Sequence, residues 1–366
     1  MCHYDIFQVI KMKNALIIFG GVSSEHNVSL LSATSVIKNT PKDKYNVVML
    51  GITKDGEMYL YTGDVENLAN DVWLNDKENL KKATISTNHS DHGILVLDNG
   101  KYELIKIDVC YPVLHGKNGE DGTMQGLLTI AGIPYVGCNT MASAVCMDKA
   151  MTNAICDVNN IPQAKWKYIT KYDFSTNGKE FSKECEKYLG LPVFIKPANA
   201  GSSVGVRKAK SVDEIYSALE YAFQFDDRVV VEEGIDGAEV ECAVMGNDEP
   251  FAGAVGEIEP CNEFYDFDAK YESDSGLHIP ARIGEDKIKE IQEKAVKAYK
   301  AWGCSGLARV DFFVRHSDGA VLLNEPNTLP GFTSISMYPM LMKAVGIPAD
   351  ELIDKLFCYA IEKWEK

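Results

Sequence analysis

Residues 14–37 read NALIIFGGVSSEHNVSLLSATSVI, and their order decides the fold. Asn14 to Phe19 is almost unbroken apolar sequence, which suits a strand buried on both faces. Gly20-Gly21 then permits a tight turn. A polar stretch follows, after which Val28, Leu31, Ala33 and Ile37 recur at helical spacing. Strand, glycine turn and helix in this order open a mostly parallel, doubly wound α/β sheet. Ligands of such sheets bind beyond the carboxyl ends of the strands, so Glu25, near the start of the helix, is a candidate binding residue. An acid at that place also suits the helix dipole with no ligand at all.

Further apolar runs at 47–52 and 107–114 extend this pattern, and an N-terminal α/β domain is expected over residues 1–139. Met12 offers an alternative start, which would leave 1–11 as a disordered leader. Thr140 is read as the cap of a helix running through Ala154. Together with strands at 166–170, 193–196 and 229–231, that helix makes a second unit, 140–233. Ser211-Val-Asp-Glu214 matches a capping box ahead of a helix at 215–223. The third unit, 234–366, mixes strands at 240–245, 251–258, 308–314 and 321–325 with long helices. Ile288, Ile291, Ala295, Tyr299 and Trp302 recur at helical spacing, and Gly303 is a natural stop. Between them, residues 261–279 are rich in Asp, Tyr, Ser and Gly and read as a mobile lid.

Composition narrows the function classes. With 366 residues, 46% hydrophobic and 25% charged, the chain has the profile of a soluble protein of two or three domains. A net charge of −16 argues against nucleic acid as partner, because such binding needs clustered Lys and Arg. No apolar run reaches membrane-spanning length. Ten cysteines, none in a Cys-x-x-Cys pair, read as reduced thiols of a cytoplasmic protein. His89 and His92 lack further ligands at useful spacing and read as a solvated loop.

Neither the usual phosphate-binding G-x-x-x-x-G-K-[ST] nor any G-x-G occurs. Three other places carry chemistry. Ala200-Gly-Ser-Ser-Val-Gly205 follows a strand ending in Lys196-Pro197, so backbone N–H groups, two hydroxyls and a cation stand together, as a phosphate requires. Alone, this also reads as a flexible turn beside a surface lysine. Arg309 and Asp311 on one strand, with Glu325 and Asn327 on another, offer oxygen donors of the kind Mg²⁺ prefers. A surface ion pair of Arg309 with an acid is the plainer reading, which Asn327 and the following Pro330-Gly331 weigh against. His115-Gly-Lys-Asn-Gly-Glu-Asp-Gly122 follows another strand, and His115 there reads equally as a satisfied structural histidine.

Taken together, the blocks GGVSSEHNVS, HGKNGEDG, MDK at 147–149, IKPANAGSSVG, VVVEEGIDGAE, FYDFDAKY, ARVDFF and NEPNTLPGFTS resemble the bacterial D-alanine–D-alanine ligases and the related vancomycin-resistance ligases. These belong to the ATP-grasp superfamily, and the likeness runs from about Asn14 to the C-terminus. It implies an N-terminal substrate domain, a central ATP-grasp lid domain and a C-terminal catalytic domain. It also implies roles. Glu25 would hold the ammonium of the first D-alanine, in a hydrogen-bonded group with Ser202 and Tyr271. Lys149 and Lys196, with Ser203, Val204 and Gly205, would bind ATP phosphates. Glu232 would face the adenine and Glu239 the ribose, with Glu233 beside them. Asp311, Glu325 and Asn327 would hold two Mg²⁺, with Mn²⁺ as a substitute. Arg309 and the Gly331 N–H would form the oxyanion site. Ser336 and Met337 would lie near the second substrate, and His115 and Lys270 would complete the pocket. The resemblance further implies a cytoplasmic homodimer. Three alternatives stand beside it: a D-alanine–D-serine ligase, an ATP-grasp ligase for another carboxylate, and a non-catalytic nucleotide-binding protein on the same fold.

Overall fold

The computed structural model describes residues 12–259 and 276–366. The expected leader at 1–11 and most of the expected lid, Lys270 and Tyr271 included, lie outside the described residues. Three sheets follow one another along the chain.

In the first, β1 (Lys13–Gly20) runs parallel to β2 (Tyr45–Ile52) on one side and β7 (Val109–Pro112) on the other. Ala15 to Phe19 are completely buried, which explains their unbroken apolar character. Parallel pairing stops with these three strands. From β2 the sheet continues antiparallel through β3 (Met58–Tyr61), β4 (Leu80–Ile85), β5 (Gly93–Asp98) and β6 (Lys101–Lys106). The mostly parallel sheet expected here is thus a mixed one. Asn99-Gly100, both with positive φ (49° and 77°), joins β5 to β6. A two-residue connection of this kind serves only antiparallel neighbours. The lysines of exposed β6 guard the free edge.

The second sheet contains β8 (Trp166–Thr170), β9 (Val193–Pro197), β10 (Arg207–Ala209) and β11 (Arg228–Glu233), in the order β10-β9-β11-β8. Alternation sorts its side chains. Val193, Ile195, Val229 and Val231 pack in one core with residues of the helices Lys171–Leu189 and Val212–Ala222. Lys196 and Glu232 point the other way. Ser211 caps the second of these helices through the Glu214 N–H, at 3.3 Å. The reciprocal half of the expected box is shifted by one residue, because Glu214 Oε2 accepts from Lys210 N.

The third sheet, all antiparallel, holds β12 (Gly237–Gly246), β13 (Phe251–Glu259), β14 (Gly276–His278), β15 (Gly306–Arg315) and β16 (Val321–Asn327), in the order β14-β13-β12-β15-β16. β14 pairs with β13, so the last part of the stretch expected as loop is strand. Val240, Cys242, Val310 and Phe312 share a core with the helix Glu285–Ala301. That helix ends at Gly303 in a left-handed conformation (φ 72°), as the spacing predicts. Ala243, Met245 and the helix Met337–Ala344 share another core with Ile17 of β1, Tyr111 of β7 and Phe357 of the last helix, Ala349–Glu365. One apolar mass therefore ties the first sheet to the third.

The expected single helix from Thr140 to Ala154 is two helices, Thr140–Met147 and Lys149–Val158. Asn139, rather than Thr140, caps the first by accepting from Ala142 N at 2.8 Å. Asp148 leaves helical geometry and caps the second through Met151 N at 3.0 Å. The break points the Lys149 N–H at Ala198 O, 2.9 Å away, beside the serine-rich loop. Asp148 is nearly fully buried and also pairs with Arg228. Asp148→Ala should lower stability by about 2 kcal/mol, roughly half from the lost cap and the rest from leaving Arg228 without its acceptor. Urea unfolding at constant slope measures this, and an unchanged midpoint would refute the role given to Asp148.

Candidate active site

The turn after β1 places the first acid. Gly20 and Gly21 have φ of 86° and 98°, and a Cβ at Gly20 would lie 2.2 Å from Ile52 O. Only glycine fits. The Gly20 N–H donates to Ser29 Oγ (2.8 Å), and His26 Nδ1 lies 2.8 Å from Gly21 O, so turn and helix His26–Asn39 form one unit. Glu25 is the N-cap residue, yet its side chain makes no capping bond. It accepts instead from Ser202 Oγ, at 2.6 Å, although 177 residues separate the two. Ser202 and Ser203 both hold positive φ (51° and 58°), an uncommon conformation for a residue with a side chain. Gly116 closes over the pair, since a Cβ there would lie 2.4 Å from Glu25 Oε2.

His115 is buried beneath. Its Nδ1 lies 3.0 Å from Leu329 O, which can only accept, so Nδ1 carries the proton. Nε2, 3.0 Å from Ser32 Oγ, then accepts from that hydroxyl, and Ser32 Oγ accepts from Phe332 N–H (3.2 Å). Burial pushes the His115 pKa down against the opposing charge of Glu25, so the ring is neutral. The histidine is structurally satisfied and lines the cavity as well. Glu120 accepts from Gly116 N–H at 2.7 Å. Burial, then the charge of Glu25, pushes its pKa up to about 8, against backbone hydrogen bonds at Gly116 and Leu329.

Arg309 lies in a nest of acids. Its Nε is 2.8 Å from Asp311 Oδ1 and 3.0 Å from Glu241 Oε2, and a terminal nitrogen is 2.7 Å from Asp311 Oδ2. Burial disfavours its charge, and Asp311 and Glu241 overcome that cost. The surface ion pair considered from sequence is a buried cluster. Asn327 Nδ2 donates to Asp311 Oδ2 (3.0 Å), and Lys149 Nζ lies 3.9 Å from Glu325. A bulge makes this possible. Arg309 pairs with Asn327 and Val310 with Pro326, but Phe312 pairs with Leu323. β16 thus carries one extra residue opposite Asp311, which turns Asn327 onto the face of Arg309 while Leu323 stays in the core. Gly331 abuts Ser336, whose Oγ accepts from Thr333 N–H at 3.0 Å; a Cβ at Gly331 would lie 2.9 Å from it.

These residues surround a cavity of about 360 Å³, with Glu25, His115, Ser202, Arg309, Gly331 and Met337 in its wall. A second cavity of about 520 Å³ opens between the second and third sheets. Lys196, Ser203, Glu232, Glu233 and Glu239 line it. Lys196 Nζ lies 2.7 Å from Glu232 Oε2, and Asn153 Nδ2 donates to Glu232 Oε1 at 3.1 Å. Lys149, Gly201, Ser202 and Glu325 border both cavities. Val204 and Gly205 stand apart from the walls: Val204 N–H closes the turn on Gly201 O at 3.1 Å, and Gly205 abuts Pro197 and Phe225. Among the described residues no three of His, Cys, Asp or Glu converge as metal ligands. Two carboxylates and an amide oxygen are nonetheless the hard donors that suit Mg²⁺ shared with phosphate.

Glu120, Glu241, Asn153 and Ser32 escaped the reading of motifs. Glu241 was the most accessible, being two residues from Glu239 on one strand and so on the same face. Glu120 stood inside HGKNGEDG without a partner to explain it. His89 and His92, by contrast, hold Ile130 O (3.4 Å) and Gly132 O (2.6 Å), which packs the loop onto the first sheet's flank.

Two open cavities that share a lysine, a serine loop and an acid can hold two ligands side by side. The family models called D-ala D-ala ligase N-terminus and C-terminus match residues 14–138 and 155–358. The chain belongs to the D-alanine–D-alanine ligase family, and so to the ATP-dependent ligases. It is 49% identical to a D-alanine–D-alanine ligase of Acetivibrio thermocellus, with 96% of each chain covered. With one from Caldicellulosiruptor bescii it shares 46%, over the same shares of both chains. Among solved structures, the VanG D-Ala:D-Ser ligase of Enterococcus faecalis is 44% identical with a TM-score of 0.87, covering 96% of this chain and all of that one. A D-alanine–D-alanine ligase of Coxiella burnetii is 33% identical with a TM-score of 0.83, covering 96% of each.

The raised pKa of Glu120 has a measurable consequence. Between the ordinary carboxylate value and about 8 the unfolded chain ionises at this residue while the native state keeps its proton. Native stability is therefore lost as pH rises through that window. Glu120→Gln removes the titration, so its stability advantage over the wild type should grow from about pH 5 to about pH 8. Urea midpoints across that range measure the gap, and a constant gap would show that Glu120 ionises normally.

Proposed function

We propose that this enzyme joins two D-alanines at the expense of ATP, giving D-alanyl-D-alanine, ADP and phosphate for peptidoglycan synthesis. The observation that carries this reading is the shared border of the two cavities. Lys149, Ser202 and Glu325 stand where one cavity opens into the other, so a phosphoryl group can pass from nucleotide to substrate without leaving the protein.

In this scheme ATP occupies the cavity of Lys196, Glu232, Glu233 and Glu239. Lys149, Lys196 and Ser203 hold its phosphates, and the turn of Val204 and Gly205 behind them shapes the loop. The first D-alanine places its ammonium on Glu25, itself fixed by Ser202 and, outside the described residues, by Tyr271. A carboxylate is a poor electrophile, so its oxygen first attacks the γ-phosphorus, and the bond from phosphorus to ADP oxygen breaks. Asp311, Glu325 and Asn327 would hold two Mg²⁺, or Mn²⁺ in their place, which would supply neutralisation of charge on the phosphoryl group. The amine of the second D-alanine, having lost a proton, attacks the acyl carbon. Arg309 and the Gly331 N–H stabilise the oxyanion, and phosphate leaves. Neutral His115, Ser336 and Met337 complete the walls around the two amino acids; Lys270, assigned to the same pocket by resemblance, lies outside the described residues. We place the reaction in the cytoplasm, in a homodimer; both rest on the family resemblance, and light scattering tests the second.

The 44% identity to a D-Ala:D-Ser ligase supports a second reading, with D-serine as acceptor. Against it, Met337, Ile258, Leu277 and Ile335 make an apolar wall that offers a hydroxyl no strong partner. With ATP, Mg²⁺ and equal D-alanine, D-serine and D-lactate, D-alanyl-D-alanine should dominate, D-alanyl-D-serine should be minor, and no depsipeptide should form. Mass spectrometry of the products decides. A D-serine product in excess would transfer the assignment to the second reading, and no ADP release with D-alanine would overturn the ligase. Asp311→Asn should lower turnover roughly 100-fold or more, and should also lower the thermal midpoint because buried Arg309 loses a charged partner; near-normal turnover of the folded variant at ordinary Mg²⁺ would remove Asp311 from the metal set.

A further inference from the structure

Met337 borders the substrate cavity, yet it is only 6% exposed. The rest of its side chain is seated by a glycine in β13. A Cβ at Gly256 would lie 2.7 Å from Met337 Sδ and 3.1 Å from its Cε. The thioether thus fills the notch that the missing side chain leaves in the sheet. Gly256 pairs with Glu241 of β12, which holds Arg309. The notch therefore lies beside the proposed oxyanion site. A second glycine of the same strand makes a matching notch away from the cavity. A Cβ at Gly253 would lie 2.8 Å from Met342 Sδ, and Met342 is fully buried and borders neither of the two cavities described.

We infer that Gly256 is a specificity-determining position: by seating Met337 in β13 it sets the size of the pocket that receives the acceptor's side chain. This rests on the acceptor assignment above. Gly256 does not have a positive φ, so alanine there changes volume without straining the backbone. Leu341, whose Cδ2 would lie 3.0 Å from the new Cβ, is fully buried and closes one way out. Sδ and Cε are the flexible end of an unbranched side chain, and the cavity is the open side. Gly256→Ala therefore drives the thioether into the acceptor pocket. The donor side, at Glu25, His115 and Ser202, keeps its geometry.

The test uses the full-length enzyme, with donor and acceptor KM values resolved separately and products read by mass spectrometry. Gly256→Ala should raise the acceptor KM about tenfold and leave the donor KM within about twofold of the wild type. The ratio of D-alanyl-D-serine to D-alanyl-D-alanine should fall, because the larger side chain is excluded first. Adding Met337→Ala to Gly256→Ala should bring the acceptor KM back down. Gly253→Ala should lower the thermal midpoint without altering the product ratio. An unchanged acceptor KM in Gly256→Ala, a parallel rise in both KM values, or the same selectivity change in Gly253→Ala would overturn the inference. A wild-type enzyme that makes no D-alanyl dipeptide would overturn the functional reading along with it.

Discussion

Opposite Asp311, β16 has one residue more than β15, and the polar chemistry of the third sheet depends on it. Leu323 faces the apolar core with Phe312. Strict alternation would send Asn327, four residues on, into the same core. The extra residue turns it round, so that Asn327, Arg309 and Asp311 share one face. A buried amide in the core would carry an unmet desolvation cost; at the cavity the same amide donates to Asp311. β16 tolerates the irregularity, and Pro326 with it, because it forms the sheet's edge.

The charges gathered there are stable only as a group. Arg309 is held by Asp311 and Glu241, Lys196 by Glu232, and Lys149 lies near Glu325. Each ion is desolvated, and each is offset by a neighbour of opposite sign. Such a site is poised for exchange. In the proposed reaction, phosphates at Lys149 and Lys196 would replace Glu325 and Glu232 as partners of these cations.

Local rules made much of this visible in the sequence. The apolar run of β1, the glycine turn and Glu25 at the helix start follow from burial and steric freedom, and the structure has all three. Lys196 beside the serine loop reads as a cation at a phosphate site, and the structure places it in the wall of a cavity. Errors arose where a short-range signal was passed over or two signals competed. Asn99-Gly100 is a strong hairpin signal, and it told of an antiparallel extension that the parallel reading missed. Asp148 sits where apolar periodicity continues on both sides, but its side chain competes for backbone N–H groups and so divides the helix. Cross-strand register is another matter. That Asn327 and Asp311 share a face was reasoned from alternation alone, whereas it needs a bulge that no local pattern announces. Glu120 was illegible for a related cause, since its environment is set by Glu25 and Leu329, far along the chain.

Ser202 shows how local cost identifies function. Its φ of 51° belongs to the region that glycine occupies freely, and the neighbouring Ser203 repeats it at 58°. A residue held there carries roughly 1–3 kcal/mol of strain. Glycine would remove that strain and is already the residue just before, at Gly201. What glycine cannot supply is the hydroxyl that reaches Glu25 at 2.6 Å, from a loop on the second sheet to a helix start on the first. A hydrogen bond to a carboxylate is among the stronger ones a side chain makes, and it offsets much of the backbone cost. The strained turn therefore makes sense as the means of joining two sheets at the point where both cavities open. Any movement that separates the sheets must break this bond and relax the serines together, which couples the geometry of Glu25 to the conformation of the loop beside Lys149.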